Sequence, residues 1–251
     1  MTMLDLATAF TSADLRAACL SMNVRRPLGL ATPASSLSAP SESEPPSAVV
    51  SDSTARALEV LAAPEAIAVV DHVVHGHRRS TYVAVQGPDA ALHRVRGDHH
   101  VVESFDAERA SCELLVATGL DVPSARTMPR VLDVTLSAFD RMAELVAAND
   151  VARAAAALEG DGIHRTAAVA IAEAARRGSV HVLGLRSLGH RYVGCDLSWV
   201  AGRDRWLVPA PRRAADSGAA IASRNQTRFV RAQISTVSSA WLAAELEVVF
   251  G

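Results

Sequence analysis

Val69–Gly87 reads VVDHVVHGHRRSTYVAVQG. Three histidines and two arginines gather around Gly76, between two runs rich in β-branched residues. Branched side chains suit a pleated, half-buried surface, and glycine and short polar residues suit a tight turn. The stretch therefore predicts a β-hairpin, with strands over Ile67–His75 and Ser80–Gln86. The pattern continues downstream, with strands expected over Ala91–Arg96 and Val101–Phe105, separated by the turn sequences GPDA and GDHH. Connections this short join antiparallel neighbours, because a parallel crossover needs a dozen or more residues.

Working outward, residues 4 to 22 suit an amphipathic helix carrying Leu4, Phe10, Leu15 and Leu20, with Thr11 or Ser12 able to cap its second half. Residues 27 to 53 hold five of the eleven prolines and eight serines, and read as a loop or linker. A short helix is expected over Thr54–Ala63, capped by Asp52 or Ser53 and stopped by Pro64. Beyond the strands, Asp106 caps a helix from Glu108 to Thr118 that Gly119 ends. Asp140–Leu158 and His164–Arg177 read as helices, with a break at Asn149-Asp150. A second strand group follows at Val180–Leu185, Arg191–Val200 and Arg205–Pro209. Residues 214 to 250 read as mostly helical. The order helix, antiparallel strands, helix thus occurs twice. This predicts an α+β fold, with two strand groups joined in one sheet and flanked by two helical groups.

The chain of 251 residues carries 25 basic and 27 acidic residues, and every basic residue is arginine. Balanced charge argues against nucleic-acid binding, which draws its affinity from concentrated positive charge. Cys19, Cys112 and Cys195 are too scattered for a disulfide framework or a CxxC metal motif. The N-terminal MTMLDLATAF lacks the pattern of a signal peptide. No apolar run approaches the length of a membrane span. A cytoplasmic protein is the expectation.

The chemistry-bearing candidates are few. Six of the nine histidines lie between His72 and His100. His75 and His77, two apart on a strand, share a face and have the geometry of a zinc-ligand pair, with His93 or His99 as a third ligand. That makes a metal-dependent enzyme or metal sensor the alternative reading. Against it, no HExxH and no motif-spaced carboxylate accompany them, and a solvated polar hairpin tip explains the cluster. Gly184–Gly189 spells G-x-x-S-x-G, one residue too long for a nucleophile elbow, and strands follow it. Cys195 and Asp196 are adjacent on a strand and face opposite sides. No catalytic residue, cofactor site or metal site is assigned.

The aromatic residues and the last helix point elsewhere. Tyr192 and Trp199, seven apart, face opposite sides of a regular strand. One then packs the core while the other meets solvent or a partner, unless helices cover both. Val230, Ile234, Val237, Trp241, Ala244 and Val248 form a heptad-like stripe, the seam of a helix packed on another helix of this chain or on a partner's.

Three segments together resemble the EspG family, the ESX (type VII) secretion-associated chaperones of actinobacteria. The first is ALEVLAAPEAIAVVDHVVHGHRRSTYVAVQGPDAALHRVRGDHHVVESF, with the helix-to-strand junction Leu61-Ala62-Ala63-Pro64-Glu65 and the turn Gly97-Asp98. SMNVRRPLGL, at 21 to 30, resembles the family's Arg-Pro segment after the first helix. HRYVGCDLSWVAGRDRWLVPAP resembles its C-terminal strand pair. The resemblance implies a single domain over residues 1–251 with halves meeting near residue 125. It implies a quasi-two-fold arrangement around a central antiparallel sheet, and no enzymatic activity. It implies binding of a PE–PPE heterodimer through the PPE helical tip, for delivery to the secretion machinery. The residues themselves suggest the contact set: Tyr192, Trp199 and Trp206 with Phe229 and Arg231 lining a groove, and His75, His77, Arg78 and Arg79 at its polar rim. A homodimer through the last helix is a further possibility.

Overall fold

A computed structural model describes residues 8–25, 50–74, 77–120, 130–189, 191–202, 204–209 and 230–251. Its centre is one ten-stranded sheet in which every pair is antiparallel. The first five strands are β1 (Thr8–Thr11), β2 (Ala66–Val74), β3 (His77–Gln86), β4 (Asp89–Arg96) and β5 (His99–Asp106). The last five are β6 (Val131–Thr135), β7 (Ser179–Leu188), β8 (Arg191–Ala201), β9 (Arg205–Val208) and β10 (Arg231–Thr236). Across the sheet they run β1-β5-β4-β3-β2-β7-β8-β9-β10-β6. Read from each outer edge inward, the orders 1-5-4-3-2 and 6-10-9-8-7 are the same pattern. The two sets meet at β2–β7, in register from Ala66↔Arg186 to Val73↔Ser179.

The helices repeat too. Between β1 and β2 lie α1 (Ser12–Ser21) and α2 (Asp52–Ala62); between β6 and β7 lie α4 (Leu136–Ala147), α5 (Val151–Glu159) and α6 (Arg165–Arg177). One helix follows each set of strands: α3 (Ala110–Thr118) after β5, and α7 (Ser239–Phe250) after β10. Each opening strand ends in a threonine that caps the next helix. Thr11 Oγ1 accepts from Asp14 N at 3.2 Å, and Asp14 accepts from Thr11 N in return. Thr135 Oγ1 accepts from Ala138 N at 3.3 Å. Either bond satisfies a helix N–H that would otherwise lack an acceptor.

Period-two alternation divides the sheet into a front and a back. On the back, α3 and α7 cover the middle, burying Ala68, Val70, Val180, Val182 and Trp199 under Leu114, Leu242, Leu246 and Val249. Gly184 lets α7 lie this close, because a Cβ there would stand 2.3 Å from Val249 Cγ2. On the front, α1 and α2 pack over the first set of strands, on Phe10, Tyr82, Ala84, Ala91 and Val102. The helices α4–α6 pack over the other end, on Val134, Val200, Trp206, Val208 and Ile234.

Four expectations from the sequence change. The first helix begins only at Ser12, because Thr8–Thr11 pairs with His99–Val102 as an edge strand. The second starts at Asp52 and is capped by Ser51, whose Oγ accepts from Thr54 N. Asp106 makes no side-chain cap; a 3₁₀ turn at Ala107–Arg109 leads into α3. The heptad-like stripe is not one helix, since Arg231–Thr236 is strand β10, held between β9 and β6. Only Trp241, Ala244 and Val248 of that stripe lie on α7, and they face outward.

Candidate partner-binding surface

The front helices pack to either side of the central pair β2–β7: α2 on β3, β4 and β5, and α6 on β8. Among the described residues, the front of β2, β7 and the first half of β8 lies between these helices without one over it, with Ile67 and Val69 packed at the edge of the α1–α2 core. Sheet register states which side chains stand there. Val69 pairs with Leu183 and Ile67 with Leu185, while Leu183 pairs with Asp196, Leu185 with Gly194 and Ser187 with Tyr192. Ile67, Val69 and Leu183 are half-buried, Leu185 is 44% exposed and Tyr192 is 77% exposed. The result is an apolar strip with Gly194 as a low point and Tyr192 standing at one end. Leaving such side chains in water is unfavourable, by about 1.5–3 kcal/mol for each large one relative to full burial.

A polar row crosses the same face nearer the tip of the β2–β3 hairpin. Ser80, Asp71, His181 and Ser198 are successive cross-strand neighbours on β3, β2, β7 and β8. Asp71 is buried, and accepts from Arg78 Nε at 2.9 Å, from Arg78 Nη2, and from Ser80 Oγ at 2.6 Å. Burial alone would push its carboxyl up, but the bonds from Arg78 and Ser80 outweigh that and hold it below the usual carboxylate range. His181 Nε2 bonds Asp196 Oδ1 at 2.7 Å. The floor therefore offers apolar area together with charged groups that are already oriented.

Several residues expected at a contact surface lie elsewhere. Trp199 and Trp206 are each 1% exposed, Trp199 under α7 on the back and Trp206 under α4–α6. Neither reaches the floor. Arg231 is exposed on β10, near the far edge, with its guanidinium bonded to Asp133 O. Phe229 and His75 lie outside the described residues. His77, Arg78 and Arg79 are exposed at the hairpin tip, and of the three only Arg78 shares the face of the floor. The separation of Tyr192 from Trp199 follows from strand parity, one to solvent and the other to the core.

The histidines of the cluster are divided between the two faces. His72 Nε2 bonds Ala117 O of α3 on the back. His93 and His100 are buried on the front, where His93 Nε2 meets His100 Nδ1 at 2.8 Å and His100 Nε2 meets Ser12 Oγ at 2.8 Å. Among the described residues, no three His, Cys, Asp or Glu side chains gather as a metal site would need. His93 is instead a core residue, stacked between Tyr82 and His100. Cys195 faces α7, and burial pushes its thiol up, away from nucleophilic character.

The floor residues Ile67, Val69, Asp71, His181, Leu183 and Leu185 were not singled out from the sequence, and Asp196 was weighed there only beside Cys195 and not as a contact. A signal was present in Val182-Leu183-Gly184-Leu185, which is apolar on both faces of β7. A strand of that kind either is covered on both sides or shows one apolar face to a partner. Choosing between these needs the positions of the helices.

No family model and no curated protein matches the sequence. Among the described residues, no helix is long and apolar enough to cross a membrane. The backbone is similar to a solved one, the structure of the Mycobacterium tuberculosis type VII secretion system chaperone EspG5 in complex with the PE25–PPE41 dimer. The TM-score is 0.54 at 12% identity, over 96% of this chain and 95% of that one. At that identity the likeness is one of fold, and the fold of this chain is EspG-like.

Proposed function

We propose that this chain is a cytoplasmic chaperone of type VII secretion, which binds a PE–PPE-type helical heterodimer and keeps it soluble until export. The observation that carries the reading is the apolar strip of half-buried Ile67, Val69 and Leu183 with exposed Leu185 and Tyr192, set among the described residues between two groups of front helices. An exposed apolar helical tip is an aggregation hazard, and seating it on a preformed apolar floor removes that area from water without covalent chemistry. The likeness to a backbone solved with a PE–PPE dimer supports this choice of client. The role requires no cofactor and no reactive group.

Co-expression with the PE–PPE pairs of the same organism tests the reading. The expected result is one pair that co-elutes with this chain as a stoichiometric complex on size exclusion, and that precipitates when expressed without it. Separate elution of every pair contradicts the reading.

A further inference from the structure

His93 and His100 are 0% and 1% exposed, and the floor makes no use of them. Their rings share one hydrogen bond, His93 Nε2 with His100 Nδ1 at 2.8 Å, and their centroids are 5.1 Å apart. His100 Nε2 bonds Ser12 Oγ at 2.8 Å, and Asp98 Oδ1 accepts from Ser12 N at 3.2 Å. Ser12 is the first residue of α1, and Phe10 of β1 is the register partner of His100. The histidine pair thus stands under the joint between β1 and α1. Among the described residues, that unit is held by four register pairs with β5 and by Phe10, Leu15, Ala18 and Cys19 in the core below.

A hydrogen bond between two imidazole nitrogens needs one hydrogen, and the neutral pair supplies it from either ring. One added proton leaves the bond in place: a charged His100 donates from Nδ1 to His93 and from Nε2 to Ser12 Oγ. A second puts hydrogen on both facing nitrogens. The bond is then lost, and two cations share one buried site. The surroundings compensate little. The Asp98 carboxylate pulls on His100, while Arg16 of α1 and His99 oppose its charge. Asp14 is taken up by the Thr11 cap, and Asp89 by Arg56. From β3 comes the Tyr82 ring, stacked on His93. From α2 come Ala57, Leu58 and Leu61, with Asp52, Arg56 and Glu59 turned to solvent. Arg94, Arg96 and Glu103 stand on the opposite face of β4 and β5. We propose that His93 and His100 form an acid-operated latch on β1 and α1. The unit stays docked while the pair carries at most one added proton, and it opens when the pair carries two. Opening bares the outer edge of β5 and leaves the inner strands paired. The latch does not depend on the chain having a PE–PPE client.

Hydrogen exchange of the full chain, corrected for the intrinsic effect of pH on exchange, tests this. From pH 7.5 to pH 5 the opening of residues 8–21 should rise at least about tenfold, with β2, β3 and β7 still about a hundredfold or more better protected. His100→Gln and His93→Gln each leave one imidazole, and either should cut the rise to about threefold or less. Unchanged opening of 8–21 in the wild type overturns the latch. So does loss of its protection at the same level as the inner strands, or a tenfold rise that persists in both variants. The Cε1–H resonances of the two imidazoles give a second reading in the wild type, without reliance on a variant that fails to fold. Opening should accompany the second protonation of the pair; opening that is complete while one ring is still neutral overturns the proposal.

Discussion

His93 and His100 show how far one side chain's role depends on its depth. Both are nearly inaccessible, joined ring to ring and tied through Ser12 to the start of α1. Burial pushes the His100 imidazole down, against a smaller opposing pull from the Asp98 carboxylate; Arg16 and His99 add to the lowering. The Tyr82 ring closes the other side of the stack. With its folded-state pKa below the unfolded value, His100 takes up a proton in the unfolded chain first. Its contribution to stability is therefore complete above about pH 6.5 and is lost as the pH falls below it. Urea unfolding between pH 5 and 7.5 should show stability declining toward acid, by at most about 1.4 kcal/mol per pH unit from this group. The Ser12-linked His100→Gln variant should flatten that slope, and an unchanged slope would remove His100 as its source.

Among the elements, the two threonine caps are the clearest repeat. Thr11 and Thr135 each close an edge strand and open a helix, and Thr135 is further held by Asp161, which accepts from its Oγ1 at 2.9 Å. Thr11→Ala and Thr135→Ala should each cost about 1 kcal/mol in chemical denaturation, with Thr135 the costlier because its bond to Asp161 is half-buried while the matching bond from Thr11 Oγ1 to Asp14 is exposed. Standing on opposite edges of the sheet, the two losses should add. The same edges explain what the sequence hid. The long inner strands β2, β3, β7 and β8 announce themselves through β-branched alternation. TAFT, VLDVT and RAQIST are short and flank helical sequence, so a helical period absorbs them. In β10, the spacing of Val230, Ile234 and Val237 fits a helix. The partner strands β6 and β9, and the core around Ile234, impose the extended form instead.

In the whole molecule, the doubled strand order places two long hairpins side by side, and the helices decide which sheet face stays open. The α+β class and the single antiparallel sheet were legible, since the alternation and the turn sequences specify them. The open floor was not, because a strand's pattern gives its two faces without saying which one a helix will cover. Tyr192 was legible as one of a pair on opposite faces. Trp206 was not, since its cover comes from α4–α6, remote in sequence. Among the described residues, two exposed apolar surfaces can be compared directly: the front floor, and the outer side of α7 with Trp241 and Val248. Affinity of Leu185→Glu and Trp241→Glu for a PE–PPE heterodimer separates them. The account predicts that Leu185→Glu weakens the complex at least about tenfold, by putting a charge into the apolar contact, while Trp241→Glu binds as the wild type does. Loss of binding in Trp241→Glu with Leu185→Glu unaffected would contradict it.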